Sequence, residues 1–182
     1  MFVNIIEYAH QTFQSIIRPE DVVVDATAGN GHDTVFLAKL SRYVYAFDVQ
    51  ACALDTTKKR LNDEGLANRV TLVHDSHANA DHYLHNQVKV FVFNLGYLPG
   101  EDKRITTNKK STLIAIEKAL DYLMLDGMIS ITVYPGHDEG KEEAQAIEIL
   151  TSGLSPHHYT VLKYQFTNRT NAPYNVMIHK HT

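Results

Sequence analysis

The chain has 182 residues, of which 44% are hydrophobic and 21% are charged, and its formal net charge is −4. This length predicts one domain, residues 1–182, and the apolar fraction is that of a chain with a buried core, which excludes a disordered or collagen-like protein. A protein that binds nucleic acid through its overall charge is normally basic. Any contact with RNA must therefore come from a local patch.

The single cysteine, Cys52, excludes an internal disulfide framework and a zinc site built from several thiolates. The longest apolar runs, such as Val88–Leu95, have the length of a strand and fall short of the ~20 residues of a membrane helix. The first residues lack the basic start and apolar core of a signal peptide. We therefore predict a cytoplasmic location without a membrane contact.

Short β-branched runs alternate with longer stretches of helical period along the chain. Helices are predicted at 2–17, 31–41, 51–64, 77–85, 111–125 and 139–151, the first as a helix that covers the sheet. Strands are predicted at 21–26, 43–48, 70–73, 88–94, 128–134, 159–166 and 175–179.

The repeated strand–helix alternation predicts an α/β fold of Rossmann-like type. Right-handed crossovers give a doubly wound, mostly parallel sheet of seven strands, and the last two strands form an antiparallel pair that closes it. Ligands of such sheets bind at the carboxyl ends of the strands. The residues after each strand are therefore the candidates for a functional site.

A glycine-containing loop, Asp-Ala-Thr-Ala-Gly-Asn-Gly, begins at Asp25 after the first strand. Gly29 and Gly31 permit a tight turn and a close approach of the backbone to a ligand. The dinucleotide pattern is incomplete because Thr34 stands at its third glycine position. A nucleoside cofactor loop fits better, with Thr27 in place of one glycine, and a carboxylate suits the cationic methionine part of S-adenosylmethionine (SAM). An ordinary strand–helix turn is the alternative.

Acidic residues also follow the second and third strands. Asp48 stands 19 residues after Gly29, where a carboxylate can accept hydrogen bonds from ribose hydroxyls, although an Asp at such a position also caps helices. Asp75 can accept from an adenine amino group, and Ser76 can cap the next helix. Three strand ends thus offer the polar groups that an adenosyl cofactor needs.

The fourth strand ends in the unusual heptad Asn94–Gly100. The Asn94 amide and nearby backbone carbonyls can accept the hydrogens of an amine nucleophile. Gly96 and Pro99 favour an extended loop that presents Tyr97 for stacking on a planar base. The alternative is a turn with Tyr97 at its rim.

A polar segment after this loop carries Lys103, Arg104, Lys109 and Lys110, a local basic cluster that can hold phosphates. A solvated loop is the alternative. Arg169 lies in a turn-rich segment between the last two strands, from which it can reach the same end of the sheet.

The 11 histidines do not form a metal-binding pattern. His74 and His77 lie on either side of a strand end, and His82 and His85 can share a face without an accompanying carboxylate motif. We predict that the protein holds no metal and that His77 contacts the cofactor.

The motifs together resemble a bacterial family of class I methyltransferases that has been labelled as rRNA methylases. The sequence is similar to the group assigned as tRNA 5-aminomethyl-2-thiouridine methyltransferases, and the likeness covers nearly the whole chain. The motifs are Asp25–Gly31 with Asp33-Thr34, Asp48-Val49-Gln50, Asp75-Ser76-His77, Asn94–Gly100, Thr107–Thr112 and Tyr134–His137. Related amino-methylating enzymes carry two prolines where this chain has Leu95-Gly96, so their acceptor geometry transfers only by analogy.

The resemblance implies SAM as the methyl donor and the amine of a 5-aminomethyl(-2-thio)uridine at the tRNA wobble position as the acceptor. It implies that Asn94, Gly96 and Tyr97 orient the amine and the base, and that Tyr134 flanks the uracil ring. It also implies the anticodon loop as partner, phosphate contacts from Lys103, Arg104, Lys109 and Arg169, and a homodimer. The implied cofactor-binding residues are Asp25, Thr27, Gly29, Asn30, Gly31, Asp33, Thr34, Asp48, Gln50, Asp75, Ser76 and His77.

Four other functions stay open at this point. An rRNA base methyltransferase and a small-molecule methyltransferase share the expected fold and differ only in the acceptor. A nicotinamide-dependent dehydrogenase is disfavoured by Thr34 and Asp25. A non-catalytic module would bind the cofactor and transfer no methyl group.

Overall fold

A seven-stranded sheet forms the centre of the computed structural model, which describes residues 2–96 and 107–182. The helices are α1 (Ile5–Ile16), α2 (His32–Leu40), α3 (Ala51–Asp63), α4 (Lys109–Tyr122) and α5 (Asp138–Ser152). The strands are β1 (Val22–Asp25), β2 (Tyr43–Asp48), β3 (Val70–His74), β4 (Val88–Asn94), β5 (Leu123–Val133), β6 (Tyr159–Tyr164) and β7 (Tyr174–Lys180).

The strand order is β3-β2-β1-β4-β5-β7-β6. The first five strands pair in parallel, whereas β7 lies between β5 and β6 and pairs with both in the antiparallel sense. This confirms the predicted mostly parallel sheet with an antiparallel final strand. Because the order reverses between β1 and β4, their carboxyl ends open a crevice at the position where doubly wound sheets bind ligands.

Both faces of the sheet are covered by helices, which explains the continuous apolar runs of the central strands. Phe91 and Phe93 of β4 pack on the face covered by α4 and α5, and Val90 and Val92 pack on the face covered by α1, α2 and α3. Each such side chain contributes roughly 1.5–3 kcal/mol by leaving water. The central strand is therefore a rigid support for Asn94 at its end.

The predicted helix 111–125 is wrong at its end. Helix α4 stops at Tyr122, and Leu123 already pairs with Val88 of β4. The pairing resumes only at Met128 opposite Val90, so the intervening residues of β5 form a bulge. Leu123 is fully buried, and its pairing with β4 overrides the local helical pattern.

The remaining predicted elements are present within a few residues of their expected bounds. The helix predicted at 77–85 is a short 3₁₀ turn, His77–His82. In the described part of the chain, every helix is too short or too polar to cross a bilayer.

Helix α1 covers the sheet as predicted. On its apolar side, Ala9 and Phe13 are buried among side chains on the sheet face that α1, α2 and α3 cover. The Asn4 side chain accepts a hydrogen bond from the Glu7 amide and caps the first turn. Proline disfavours helical backbone in the residue before it, and the backbone is already extended at Ile17, so the helix ends before Pro19.

A buried carboxylate organises the connection between β1 and α2. Asp25 is fully buried, and its carboxylate accepts hydrogen bonds from the Thr34 hydroxyl at 2.6 Å and from the Thr27 amide at 3.2 Å. Burial, reinforced by the charge of Asp33, raises the pKa of Asp25 from 3.8 to about 7. Asp25 thus stabilises the loop through its hydrogen bonds to Thr27 and Thr34.

The loop closes against α3 at Gly31, which has a φ of +78°. The Thr57 hydroxyl donates to the Gly29 carbonyl at 3.0 Å, and Arg60 donates to the Asn30 carbonyl at 2.9 Å. A Cβ on Gly31 would lie 2.7 Å from Thr57 Oγ1 and 2.9 Å from its Cα. Only glycine therefore permits this contact between the loop and α3.

We expect Gly31→Ala to lower the free energy of unfolding by about 2–5 kcal/mol, from left-handed strain of ~1–2 kcal/mol and overpacking of ~1–3 kcal/mol. Gly65→Ala is the matched control, because Gly65 has a φ of +68° and no atom within 4 Å of the added Cβ. The control should lose only the strain. Urea unfolding of both variants measures the difference, and equal losses would contradict the steric argument.

We expect the stability of the wild-type protein relative to Asp25→Asn to fall as the pH rises from about 4 to about 7. The folded-state pKa of Asp25 is raised, so the folded protein binds a proton that the unfolded chain has released in this window. The predicted slope is up to about 1.4 kcal/mol per pH unit, and it disappears above pH 7. Urea unfolding at a series of pH values measures it; a pH-independent difference would refute the assignment.

Candidate functional site

A cavity of about 1030 Å³ opens at the carboxyl ends of β1 to β5. It brings together most of the residues predicted from the strand ends. The predicted residues that line it are Thr27, Gly29, Asn30, Asp33, Asp48, Gln50, Asp75, Ser76, His77, Asn94, Gly96 and Tyr134.

Asp48 joins the loop after β1 to the loop after β2. One carboxylate oxygen accepts from the Gly29 amide at 2.9 Å, and the other accepts from the Gln50 amide at 2.9 Å. A carboxylate has about four acceptor positions, so each oxygen keeps capacity for a further donor. The position suits a pair of vicinal hydroxyl groups.

Asp75 is held by the 3₁₀ turn that follows β3. Its oxygens accept from the Ser76 amide, from the Asn79 side chain at 2.9 Å and from the Tyr83 hydroxyl at 2.9 Å. The Asn79 hydrogen bond is the main reason that the pKa of Asp75 lies below its ordinary value. As predicted, Ser76 caps the turn by accepting from the Ala78 amide.

Sequence reasoning missed Asn79 and Tyr83 as partners of Asp75. The spacing of four residues to Asn79 is a usable helical signal, whereas Tyr83 is eight residues away and its contact depends on how the turn folds.

His77 presents a buried acceptor beside the cavity. Its Nδ1 donates to the Ala26 carbonyl at 3.0 Å, so the neutral ring carries no proton on Nε2. Among the described residues, nothing pairs with that Nε2. Burial lowers the pKa of His77 and keeps the ring neutral. A buried acceptor of this kind fits a donor group on a bound ligand.

Asn94 is fixed by two contacts at the end of β4. Its backbone amide donates to the Thr27 hydroxyl at 2.7 Å, and its side-chain Nδ2 donates to the Asp33 carboxylate at 2.6 Å. A carboxylate only accepts, so the amide must turn its NH₂ group to Asp33. The Asn94 side-chain oxygen is left as the group that can accept from a ligand.

His10 completes this arrangement from α1. Its Nε2 lies 2.7 Å from the other oxygen of Asp33, and its ring stacks on Phe36 with 3.9 Å between centroids. Sequence reasoning missed His10, which lies 23 residues before Asp33 on a helix that looked like a simple cover.

A second buried carboxylate supports the far side of the site. The Gly96 amide donates to the Thr107 hydroxyl at 2.8 Å, and the Thr107 amide returns a bond to the Gly96 carbonyl at 2.9 Å. Glu143 on α5 accepts from the hydroxyls of Thr107 and Thr112. Burial raises the pKa of Glu143. These bonds connect the end of β4 to the start of α4 and to α5.

Glu143 was missed, although the sequence carries a signal for it. Gly140, Glu143, Ile147 and Thr151 recur at helical spacing and are the buried residues of α5. A carboxylate on the buried side of a helix indicates a structural or functional partner.

Tyr134 follows β5 and borders the cavity with a side chain that is about one-third exposed. Burial, together with the charge of Asp33, raises the pKa of Tyr134. The ring therefore stays an uncharged phenol at neutral pH and can flank a planar group.

Other predicted residues lie outside the cavity lining. Asp25 and Gly31 are the first and last residues of the loop after β1, and Thr34 lies in the first turn of α2; their contacts hold the shape of this loop. Lys109 is exposed in the first turn of α4, and Arg169 is exposed with its guanidinium 4.5 Å from the Phe166 ring centroid.

Several predicted residues fall outside the described part of the chain. These are Tyr97, Pro99, Lys103 and Arg104. Within residues 2–96 and 107–182, no group of three His, Cys, Asp or Glu side chains is arranged to hold a metal ion.

Comparison with known proteins places the chain in a family. Residues 44–180 match the model of the family described as "Putative rRNA methylase". An Arabidopsis thaliana protein named "tRNA (mnm(5)s(2)U34)-methyltransferase, chloroplastic" is 36% identical over 188 aligned positions, which cover 96% of this chain and 68% of that protein.

Solved structures agree over the full length. An rRNA-methylase homologue from Clostridium thermocellum superposes with a TM-score of 0.96 at 38% identity and covers 99% of both chains. A Streptococcus mutans methyltransferase homologue, crystallised in complex with SAH, superposes with a TM-score of 0.93 at 36% identity, again over 99% of both chains.

The cavity itself fits such a cofactor, because it combines a glycine-containing loop, carboxylates after β2 and β3, and the buried acceptor of His77. The match covers most of the chain. The chain therefore belongs to the family described as rRNA methylases and is a SAM-dependent methyltransferase with the class I fold.

Proposed function

We propose that this methyltransferase transfers a methyl group to the primary amine of a 5-aminomethyl(-2-thio)uridine at the wobble position of tRNA. The observation that carries the proposal is Asn94, whose NH₂ group is held by Asp33 and whose oxygen is left to orient an amine. The named activity of the Arabidopsis relative supports the same acceptor.

The cofactor side of the cavity is assigned by the chemistry of its residues. Asp48 accepts from the ribose hydroxyls, Asp75 accepts from the adenine amino group, and His77 accepts from a donor on the methionine part. Bound SAM supplies an electrophilic methyl group on a sulfonium. The remaining contacts are assigned to Thr27, Gly29, Asn30, Gln50 and Ser76, which line the same wall.

The acceptor side is assigned to the end of β4. Asn94 and the Leu95 backbone orient the amine in line with the methyl group, and alignment with exclusion of water is the main requirement of a direct displacement. Tyr134 flanks the uracil ring, and the same role for Tyr97 stays a prediction.

Contact with tRNA is assigned to the edge of the cavity. Lys109 is exposed beside Asn108 and Ser111, which line the cavity, and Arg169 precedes the lining residues Asn171 and Pro173. An anticodon base is already unpaired, so its insertion costs less than extrusion from a duplex. Phosphate contacts from Lys103 and Arg104, a homodimer and a cytoplasmic location stay predictions.

An rRNA base is a second candidate acceptor, which the family description favours. An rRNA acceptor would use the same SAM site, and a base other than the wobble uridine would lie against Tyr134. A small-molecule acceptor predicts activity without dependence on salt concentration, because no phosphates would be bound.

We expect the wild-type enzyme with SAM to convert 5-aminomethyl-2-thiouridine in hypomodified tRNA to its N-methyl form. Asn94→Ala should lower this transfer at least 100-fold with cofactor affinity nearly unchanged, because the amine loses its acceptor. The exposed Asn86→Ala is the matched control. Mass spectrometry of nucleosides from tRNA and from rRNA measures both; methylation of rRNA alone, or full activity of Asn94→Ala, would refute the proposal.

We expect Asp48→Ala to weaken SAM binding at least tenfold, since hydrogen bonds to a charged group contribute about 1.5–3 kcal/mol. The variant also loses the hydrogen bonds from the Gly29 and Gln50 amides, which hold the two loops together, and this loss should weaken SAM binding further. Titration calorimetry measures the affinity, with the exposed Asp63→Ala as control. An unchanged affinity would remove Asp48 from the ribose site.

A further inference from the structure

We propose that Asp33 accepts the proton that the substrate ammonium must lose before methyl transfer, and that His10 positions Asp33 for this step. The inference rests on the proposed function and assigns Asp33 to the acceptor, although the family resemblance implied a cofactor contact for it. It also gives helix α1 a role in the site.

The chemistry of the acceptor requires such a group. A primary alkylamine has a pKa near that of lysine, about 10.4, so only about one molecule in 2,500 is uncharged at neutral pH. The ammonium has no lone pair and cannot attack the methyl group. An enzyme that works on the abundant ammonium form must therefore remove one proton within the site.

Asp33 is placed next to the atom that orients the nitrogen. Its carboxylate accepts from Asn94 Nδ2 at 2.6 Å and both side chains line the cavity, so an amine that donates to the oxygen of the same amide can also reach the carboxylate. Asp33 lines the cavity, and its charge contributes to the raised pKa of Tyr134. The charge thus acts on the space assigned to the base.

Other titratable groups around this space are less suited. The side chains of Asp75, His32 and His137 line the cavity and are engaged by Asn79, Arg60 and Gly140. Asp25 is fully buried behind the loop, and Asp48 is bound to two backbone amides on the ribose side. The Nε2 of His77 is assigned to the methionine part of the cofactor, and its Nδ1 is bound to the Ala26 carbonyl. Tyr134 is a phenol with a raised pKa and has no charge with which to attract an ammonium.

In the proposed step, proton transfer to Asp33 precedes methyl transfer. The ammonium R–NH₃⁺ forms an ion pair with the Asp33 carboxylate and gives it one proton, which leaves R–NH₂ and a neutral carboxylic acid. The nitrogen lone pair then forms the N–C bond while the C–S bond breaks and its electron pair stays on sulfur. The products are R–NH₂⁺–CH₃ and the neutral thioether, and Asp33 later returns its proton to water.

Exclusion of water favours the first transfer. The proton transfer converts the ammonium and the carboxylate into two neutral groups. Removing water from a neutral pair costs less free energy than removing it from an ion pair. A bound uridine that excludes water from the cavity therefore promotes the proton transfer that the reaction needs.

His10 fixes the orientation of the carboxylate. A carboxylate only accepts, so His10 donates from Nε2 to the oxygen that Asn94 does not use. Stacking on Phe36 holds the imidazole in place. The two donors aim the remaining lone pairs of Asp33 at the space beside Asn94.

The test is the pH dependence of methyl transfer to an anticodon stem-loop that carries 5-aminomethyl-2-thiouridine, at saturating SAM between pH 6.5 and 9.5. We expect Asp33→Asn to lower the rate at least 100-fold at pH 7, a typical effect of removing a general base. This loss should shrink about tenfold per pH unit, because the variant depends on amine that is already deprotonated.

Matched variants accompany the test. The exposed Asp55→Asn removes the same charge and should retain the wild-type profile. His10→Phe keeps an aromatic ring on Phe36 and should lower kcat several-fold without a change in the SAM dissociation constant. Calorimetry with SAM should give an unchanged affinity for Asp33→Asn.

Each result decides between the two proposals. A loss in Asp33→Asn that is equal at every pH would overturn the proton-acceptor role while the proposed function stands. A loss of SAM binding in this variant would return Asp33 to the cofactor site. Wild-type enzyme that fails to methylate this stem-loop and hypomodified tRNA at every pH would refute the proposed function itself.

Discussion

The hydrogen bond from the Asn94 side chain to the Asp33 carboxylate joins the two halves of the site. Asn94 ends the central strand β4, whereas Asp33 belongs to the first turn of α2, after the loop assigned to the cofactor. The bond therefore fixes the end of β4, which we propose as the acceptor side, relative to the loop that we assign to the donor. An in-line displacement depends on this relative position more than on any single contact, since the donor is already reactive.

Strand-end chemistry was the part of the site that the sequence predicted best. Asp48 and Asn94 end strands β2 and β4, Asp75 directly follows β3, and parallel strands bring their carboxyl ends to one edge. The family resemblance added the acceptor, which no strand pattern contains. The sheet was predictable for the same reason, because β-branched runs separated by helices allow few topologies.

The features that the sequence did not predict depend on contacts between distant segments. His10 reaches Asp33 across 23 residues, and Glu143 reaches Thr107 across 36. Leu123 continues a helical pattern but enters the sheet, because pairing with β4 buries it fully. Asp25 matched the pattern of a ligand contact, yet its hydrogen bonds face Thr34 and Thr27 inside the protein. Local periodicity carries no information on these partners.

The reciprocal hydrogen bonds between Gly96 and Thr107, together with the bonds from Thr107 and Thr112 to Glu143, connect the end of β4 to the start of α4 and to α5. Glu143 is buried and does not line the cavity. The position of the strand end beside Asn94 is therefore set in part by the helix layer that covers the sheet, through a carboxylate that lies outside the ligand cavity.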